Sequence, residues 1–184
     1  MNQINEFERS VLAITLDECE AILAPYRRRY TEDGAQGMVA HITILYPFCG
    51  CEVWNDEAAQ RLLEKLSKVK PFSLTFNGLA RFMQTRVLYL DPSPGNVVVS
   101  LIRSVSDAFP DHPPYGGSVA LDRVTPHATI AVSPPADDLD AVENEFVESA
   151  LHLLPKRVSV ENLSLFVNSN DKWWKHSELS FGQS

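Results

Sequence analysis

The pattern His-x-Thr-Ile occurs twice, as His41-Ile42-Thr43-Ile44 and as His127-Ala128-Thr129-Ile130, once in each half of the chain. Apolar and β-branched residues surround both copies: Met38-Val39-Ala40 and Leu45-Tyr46 around the first, Ala131-Val132 after the second. That composition favours strands, and side chains two residues apart on a strand share a face. Each copy therefore sends an imidazole and a hydroxyl to one side, with Ile42 and Ile44, or Ala128 and Ile130, packed on the other. A fold that uses both copies delivers two acid–base groups and two hydroxyl donors to one cleft. That is equipment for opening a phosphoester.

The chain around the motifs is patterned as well. Ser10 to Leu16 reads as a buried strand. A helix follows to about Tyr30, with Asp17 as expected N-cap and Glu20 completing a capping-box-like start. Thr31 to Gly37 is expected as a polar loop. The first motif strand spans Val39 to Tyr46 and stops at Pro47. Asn55 or Asp56 caps the next helix, whose stripe is Ala58, Leu62, Leu63 and Leu66. Alternation over Pro71–Leu79 and Arg86–Leu90 predicts two strands, with Asp91–Gly95 as a turn. Asn96–Phe109 reads as a helix and Pro110–Ser118 as a loop. The second motif strand spans Thr125–Val132, a helix covers Asp137–Leu151, and strands are expected at Arg157–Val167 and Trp173–Phe181.

Motif strand, proline, acidic helix, proline and alternating strands thus recur in the same order. Pro71 lies 30 residues after His41, and Pro155 lies 28 after His127. A pseudo-two-fold arrangement of one α+β domain, with lobes of about 1–95 and 96–184, uses that repeat most simply.

Composition narrows the chemistry. A net charge of −8 argues against a long nucleic-acid track, whose phosphates are held by Lys and Arg, but is compatible with a small nucleotide or an RNA end. No apolar run nears the roughly 20 residues of a membrane span, and the polar Met1–Arg9 stretch lacks the pattern of a signal peptide. A cytoplasmic monomer off the membrane is expected. Cys19, Cys49 and Cys51 fit reduced thiols. Cys49-Gly50-Cys51 has no second thiol pair to make a metal site. Neither a Gly-x-Gly-x-x-Gly nor a Walker-type motif is present, so no cofactor is expected.

His41 and His127 are the candidate acid–base pair, because an imidazole with an ordinary pKa of about 6.5 can take or give a proton near neutral pH. Thr43 and Thr129 are candidate donors to phosphate oxygens. No Asp/Glu cluster accompanies the histidines, which leaves metal-assisted hydrolysis less support. Tyr46 and Phe48 are candidates for stacking on a base, and Tyr115 for the rim of the cleft. Arg27, Arg28 and Arg29 are expected to complement a helix C-terminus, and Arg81 and Arg86 to lie at the surface. Adjacent Trp173 and Trp174 face opposite ways on a strand, so at most one lines the cleft. His112, His152 and His176 have no counterpart in the repeat. The acidic run of Asp137, Asp138, Asp140, Glu143 and Glu145 reads as a solvated helix face.

With His41 to Phe48, Pro126 to Ile130, Tyr115-Gly116-Gly117 and the Trp173 segment, the chain resembles the 2H phosphoesterase superfamily. That group includes 2′-5′ RNA ligase-like proteins and cyclic phosphodiesterases. The resemblance implies a bilobal α+β fold with two antiparallel sheets, flanked by helices, around a central cleft. It also implies metal-independent opening of 2′,3′-cyclic phosphates or related cleavage at RNA ends. By the same resemblance His41 and His127 are acid and base in an unassigned order, with Thr43 and Thr129 as phosphate donors. Bacterial RNA ligase-like members often carry an arginine just after the second motif. Here Ala131, Val132 and Ser133 follow, which argues against ligase activity. The alternatives are a nucleotide- or RNA-end-binding module without turnover, and a metal-dependent hydrolase.

Overall fold

A computed structural model describes residues 9–50, 54–132 and 139–182. Its elements run β1 (Arg9–Thr15), α1 (Asp17–Tyr30), α2 (Glu32–Ala35), β2 (His41–Leu45), α3 (Asp56–Leu66), β3 (Phe72–Phe82), β4 (Val87–Ser93) and α4 (Gly95–Ala108). They continue as β5 (Ala128–Val132), α5 (Leu139–Ser149), β6 (Lys156–Val160), β7 (Asn162–Ser169) and β8 (Lys172–Ser180). All pairings are antiparallel, in the order β6-β3-β4-β5-β2-β1-β7-β8. The α+β class is as expected. The two expected sheets are two four-stranded halves of one sheet, joined where β2 meets β5 through the single pair Ile42 and Ala128.

Those halves do not follow a division of the chain near residue 95. β7 and β8 extend the half that holds β1 and β2, while β3 and β4 lie with β5 and β6. The duplicated unit is strand, helix, motif strand: β1-α1-β2 and β4-α4-β5, each with a 14-residue helix. Each helix crosses the joint, α1 packing on β5 and α4 on β2.

Local chemistry explains most boundaries. Asn55 is the α3 cap, its side-chain oxygen accepting from the Ala58 N–H at 2.9 Å, and Ala58, Leu62 and Leu66 form the buried stripe. Asp17 is the first helical residue of α1, not its cap, and Leu16 before it offers no side-chain acceptor. The Glu20 carboxylate instead accepts from the Ala40 N–H at 2.6 Å. Within the expected loop 31–37, Thr31 Oγ1 accepts from the Gly34 N–H at 3.0 Å and caps the single turn of α2.

Three other expectations are corrected. Residues 91–93 continue β4 in place of a turn, pairing Pro92 with Phe76 and Ser93 with Thr75. The expected strand 157–167 breaks at Glu161, because β6 joins β3 whereas β7 joins β1 and β8. The second motif strand starts at Ala128, so His127 stands just before it. Positions 137 and 138 of the expected fourth helix, and Cys51, lie outside the described residues.

One face of the sheet carries the helices. Leu12, Ile14, Ile42, Ile44, Ala128 and Ile130 merge there with helix side chains such as Leu23, Leu62 and Val98 in the main core. The opposite face carries a smaller cluster of Val11, Ala13, Met38, Phe166 and Trp173. No described helix is long and apolar enough to cross a membrane.

Candidate active site

Directly paired residues of an antiparallel ladder point to the same face. Ile42 and Ala128 are paired and both fully buried on the helix side. Their neighbours His41, Thr43, His127 and Thr129 therefore all emerge on the open face. Continuing the register by one residue each way sets His41 opposite Thr129 and Thr43 opposite His127. The doubled motif thus becomes a crosswise set of two imidazoles and two hydroxyls at the narrow joint of the sheet.

Both rings are fixed in the same way. Nδ1 of His41 lies 2.8 Å from the Val39 carbonyl, and Nδ1 of His127 lies 2.8 Å from the Thr125 carbonyl. A carbonyl only accepts, so each Nδ1 carries the hydrogen and each neutral ring keeps a lone pair on Nε2. The partner is in both cases the backbone two residues upstream.

Burial disfavours the charged form of both rings. His41, 9% exposed, is pushed down to about 4 by burial and then by the Arg27 cation, against an opposing pull from Asp33. His127 is also lowered, by burial first and by Arg27 as well. Its ring stands edge-on to Phe82 and Tyr89, with centroids 5.0 and 5.4 Å away.

Residues 15–172 match the 2′-5′ RNA ligase superfamily. The chain belongs to that superfamily. Solved structures agree on the fold. E. coli LigT complexed with 3′-AMP superposes with a TM-score of 0.60 at 14% identity, over 97% of this chain and 100% of that one. TT0787 of Thermus thermophilus gives 0.58 at 15% identity, over 96% and 100%. Usb1 of Kluyveromyces marxianus gives 0.50 at 13%, over 94% and 97%. Compared by sequence with curated proteins, the chain matches none.

Arg27 is the part of this superfamily member's site that sequence reasoning missed. Only 1% exposed, it donates from Nη1 to the Thr129 carbonyl at 3.1 Å and from Nη2 to Asp33 at 2.6 Å. Nη2 also stands 3.5 Å from Nδ1 of His41. Asp33 in turn lies 4.0 Å from Nε2 of His41. Burial raises the Asp33 pKa, but Arg27, His41 and Thr31 outweigh it and hold the carboxyl below its ordinary value. A signal for Arg27 was present: Cys19, Leu23 and Arg27 fall four apart on the buried side of α1. An arginine in an apolar stripe is seldom a dipole partner, because burying it demands partners.

A cavity of about 340 Å³ opens beside the first motif, lined among others by His41, Thr43, Tyr46, Met38, Arg9 and Trp173. Tyr46 and, of the tryptophan pair, Trp173 thus reach the cleft. Phe48 does not. It is 2% exposed, packed against Trp54, Phe109 and His112 in the core, so the expectation that it stacks on a base is corrected. The Tyr115 N–H donates to the Tyr46 carbonyl at 2.5 Å, which places the glycine loop against the end of β2. Tyr115 adopts a left-handed φ of 52°, and burial pushes its phenol up to about 12.

Arg81, expected in solvent, forms ion pairs with Asp140 and Glu143 on α5. Among the described residues no group of three or more His, Cys, Asp or Glu is placed to hold a metal ion.

Proposed function

We propose that the protein opens 2′,3′-cyclic phosphodiesters of a nucleotide, an RNA end or a related small molecule, using His41 and His127 as general base and general acid without a metal. One observation carries the reading: the Ile42–Ala128 pair brings both motifs together on one face of the sheet, and in each the carbonyl two residues upstream engages Nδ1 and leaves Nε2 for proton transfer. A phosphodiester seated between them has a proton acceptor on one side and a proton donor on the other.

In the hydrolysis, one Nε2 takes a proton from water as its oxygen bonds to phosphorus. The bond from phosphorus to one ribose oxygen breaks, and the second imidazole, protonated at Nε2, gives its proton to that oxygen. Thr43 and Thr129 donate to the non-bridging oxygens, where negative charge builds up in the transition state. The cavity beside His41 has room for a nucleoside, with the rings of Tyr46 and Trp173 as surfaces for a base. Tyr115 closes the rim next to Tyr46. One protein of this fold, E. coli LigT, has been solved in complex with 3′-AMP, with NADP+ and with ATP, which favours a nucleotide over a simple sugar ester.

The pH–rate profile tests the pairing. One imidazole must be neutral and the other protonated, so kcat/KM is expected to be bell-shaped. Because both pKa values are lowered, its maximum is expected on the acid side of pH 6.5. A profile without a basic limb contradicts the two-histidine reading. Retained binding of 3′-AMP with no turnover of any cyclic phosphate points to a binding module instead.

A further inference from the structure

Arg27 reaches both motifs from an element that carries neither. It projects from α1, which packs across the joint on β5, bonds the backbone carbonyl of Thr129 in the second motif, and stands 3.5 Å from the imidazole of the first. Nε has no hydrogen-bond partner among the described residues. A fully buried, incompletely satisfied cation costs folding free energy, so its place at the junction of the two motifs calls for a functional account.

We infer, resting on the two-histidine reading above, that Arg27 is a positioning residue that divides the labour between the histidines: it holds His41 as the proton acceptor and, through the Thr129 carbonyl, locks the second motif in register with it. His127 is then the proton donor. The geometry is asymmetric in the required sense. Arg27 is beside the His41 ring, while on His127 it acts only across the cleft.

The charged and titratable groups around His41 are few. Arg27 comes from α1, Asp33 and Glu32 from α2, Arg9 from β1 and Tyr46 from the end of β2, with His127 across the joint. Arg9 is paired with Glu32 at 3.3 Å, so the opposed pair Arg27 and Asp33 decides the balance. The cation opposes protonation of His41 and Asp33 favours it.

Opposite substitutions should therefore move His41 in opposite directions. The test follows the His41 ring protons by NMR against pH in the full-length protein, with kcat/KM for 2′,3′-cyclic AMP measured on the same samples. Arg27→Gln is expected to raise the pH at which His41 titrates and to lower kcat/KM at pH 7 by about 10²-fold, the scale of a misplaced catalytic group. Arg27→Lys keeps the charge but not the fork, so His41 should titrate close to wild type while kcat still falls. Asp33→Asn, at a partly buried position, should move the titration lower and serves if the Arg27 variants do not fold.

An unchanged His41 titration in folded Arg27→Gln, or an upward move in Asp33→Asn, overturns the inference. The NMR readout needs no turnover. A wild type that is inactive on cyclic phosphates therefore overturns the phosphodiesterase reading separately, and with it the roles assigned to the two histidines.

Discussion

His41 and His127 obtain their tautomer from the chain itself, each from the carbonyl two residues earlier. That device travels with the motif and needs no further residue, which is why the sequence pattern was informative. The cost of burying His41 neutral appears as acid sensitivity. Its folded pKa of about 4 lies below the ordinary 6.5, so below pH 6.5 the unfolded chain binds the proton first. Stability is therefore highest above that value and declines as pH falls towards 4. From His41 alone, the loss between pH 7 and pH 5 is about 2 kcal/mol. The lowered value of His127 adds to it with the same sign, whereas the lowered Asp33 carboxyl adds its own loss only at more acid pH, below its ordinary value. Urea titrations at the two pH values check this, and His41→Gln should reduce the difference. The residues that sequence reasoning missed, Arg27 and Asp33, act through tertiary neighbours. A helix stripe shows that Arg27 is buried, but only the crossing of α1 over the joint shows what it meets.

Elements were legible where a local signal, a helix cap or a dense run of β-branched and apolar residues, marks a single element. α3 with its Asn55 cap and the two motif strands are of that kind. Asn55→Ala should cost about 1 kcal/mol, the usual price of a lost N-cap, and leave kcat/KM unchanged, since α3 does not touch the site. What the pattern could not show is a change of partner. The alternation through 157–167 is continuous, yet β6 and β7 leave Glu161 for opposite halves of the sheet. The β2–β5 joint is the most sensitive element of the site. Ala128 is fully buried against Ile42 at the single pair that sets the motif register. Ala128→Leu is expected to lower stability by about 1–3 kcal/mol through overpacking. It should also reduce kcat by about 10²-fold by moving the motifs apart. Normal activity at reduced stability would show that the joint does not set the catalytic distance.

At the scale of the whole molecule, the repeat was visible in the sequence but its unit was not. Counting forward from each motif suggested two consecutive lobes, whereas the sheet interleaves the chain: β7 and β8 complete the half begun by β1, and β3 and β4 sit beside β5. Long-range pairing of that kind leaves neither half a core of its own. Unfolding is expected as one cooperative transition, and separate fragments 1–95 and 96–184 should show no native circular dichroism. The interleaving also makes the site, because the two motifs meet only once both halves of the sheet are assembled. The most direct measurement is hydrolysis of the four nucleoside 2′,3′-cyclic phosphates in EDTA, by wild type and by the His41→Ala/His127→Ala double variant. Turnover by wild type is expected to persist in EDTA and to fall by at least about 10²-fold in the variant. Equal rates for the two proteins, or activity that EDTA abolishes and added metal restores, would contradict a metal-independent two-histidine phosphodiesterase.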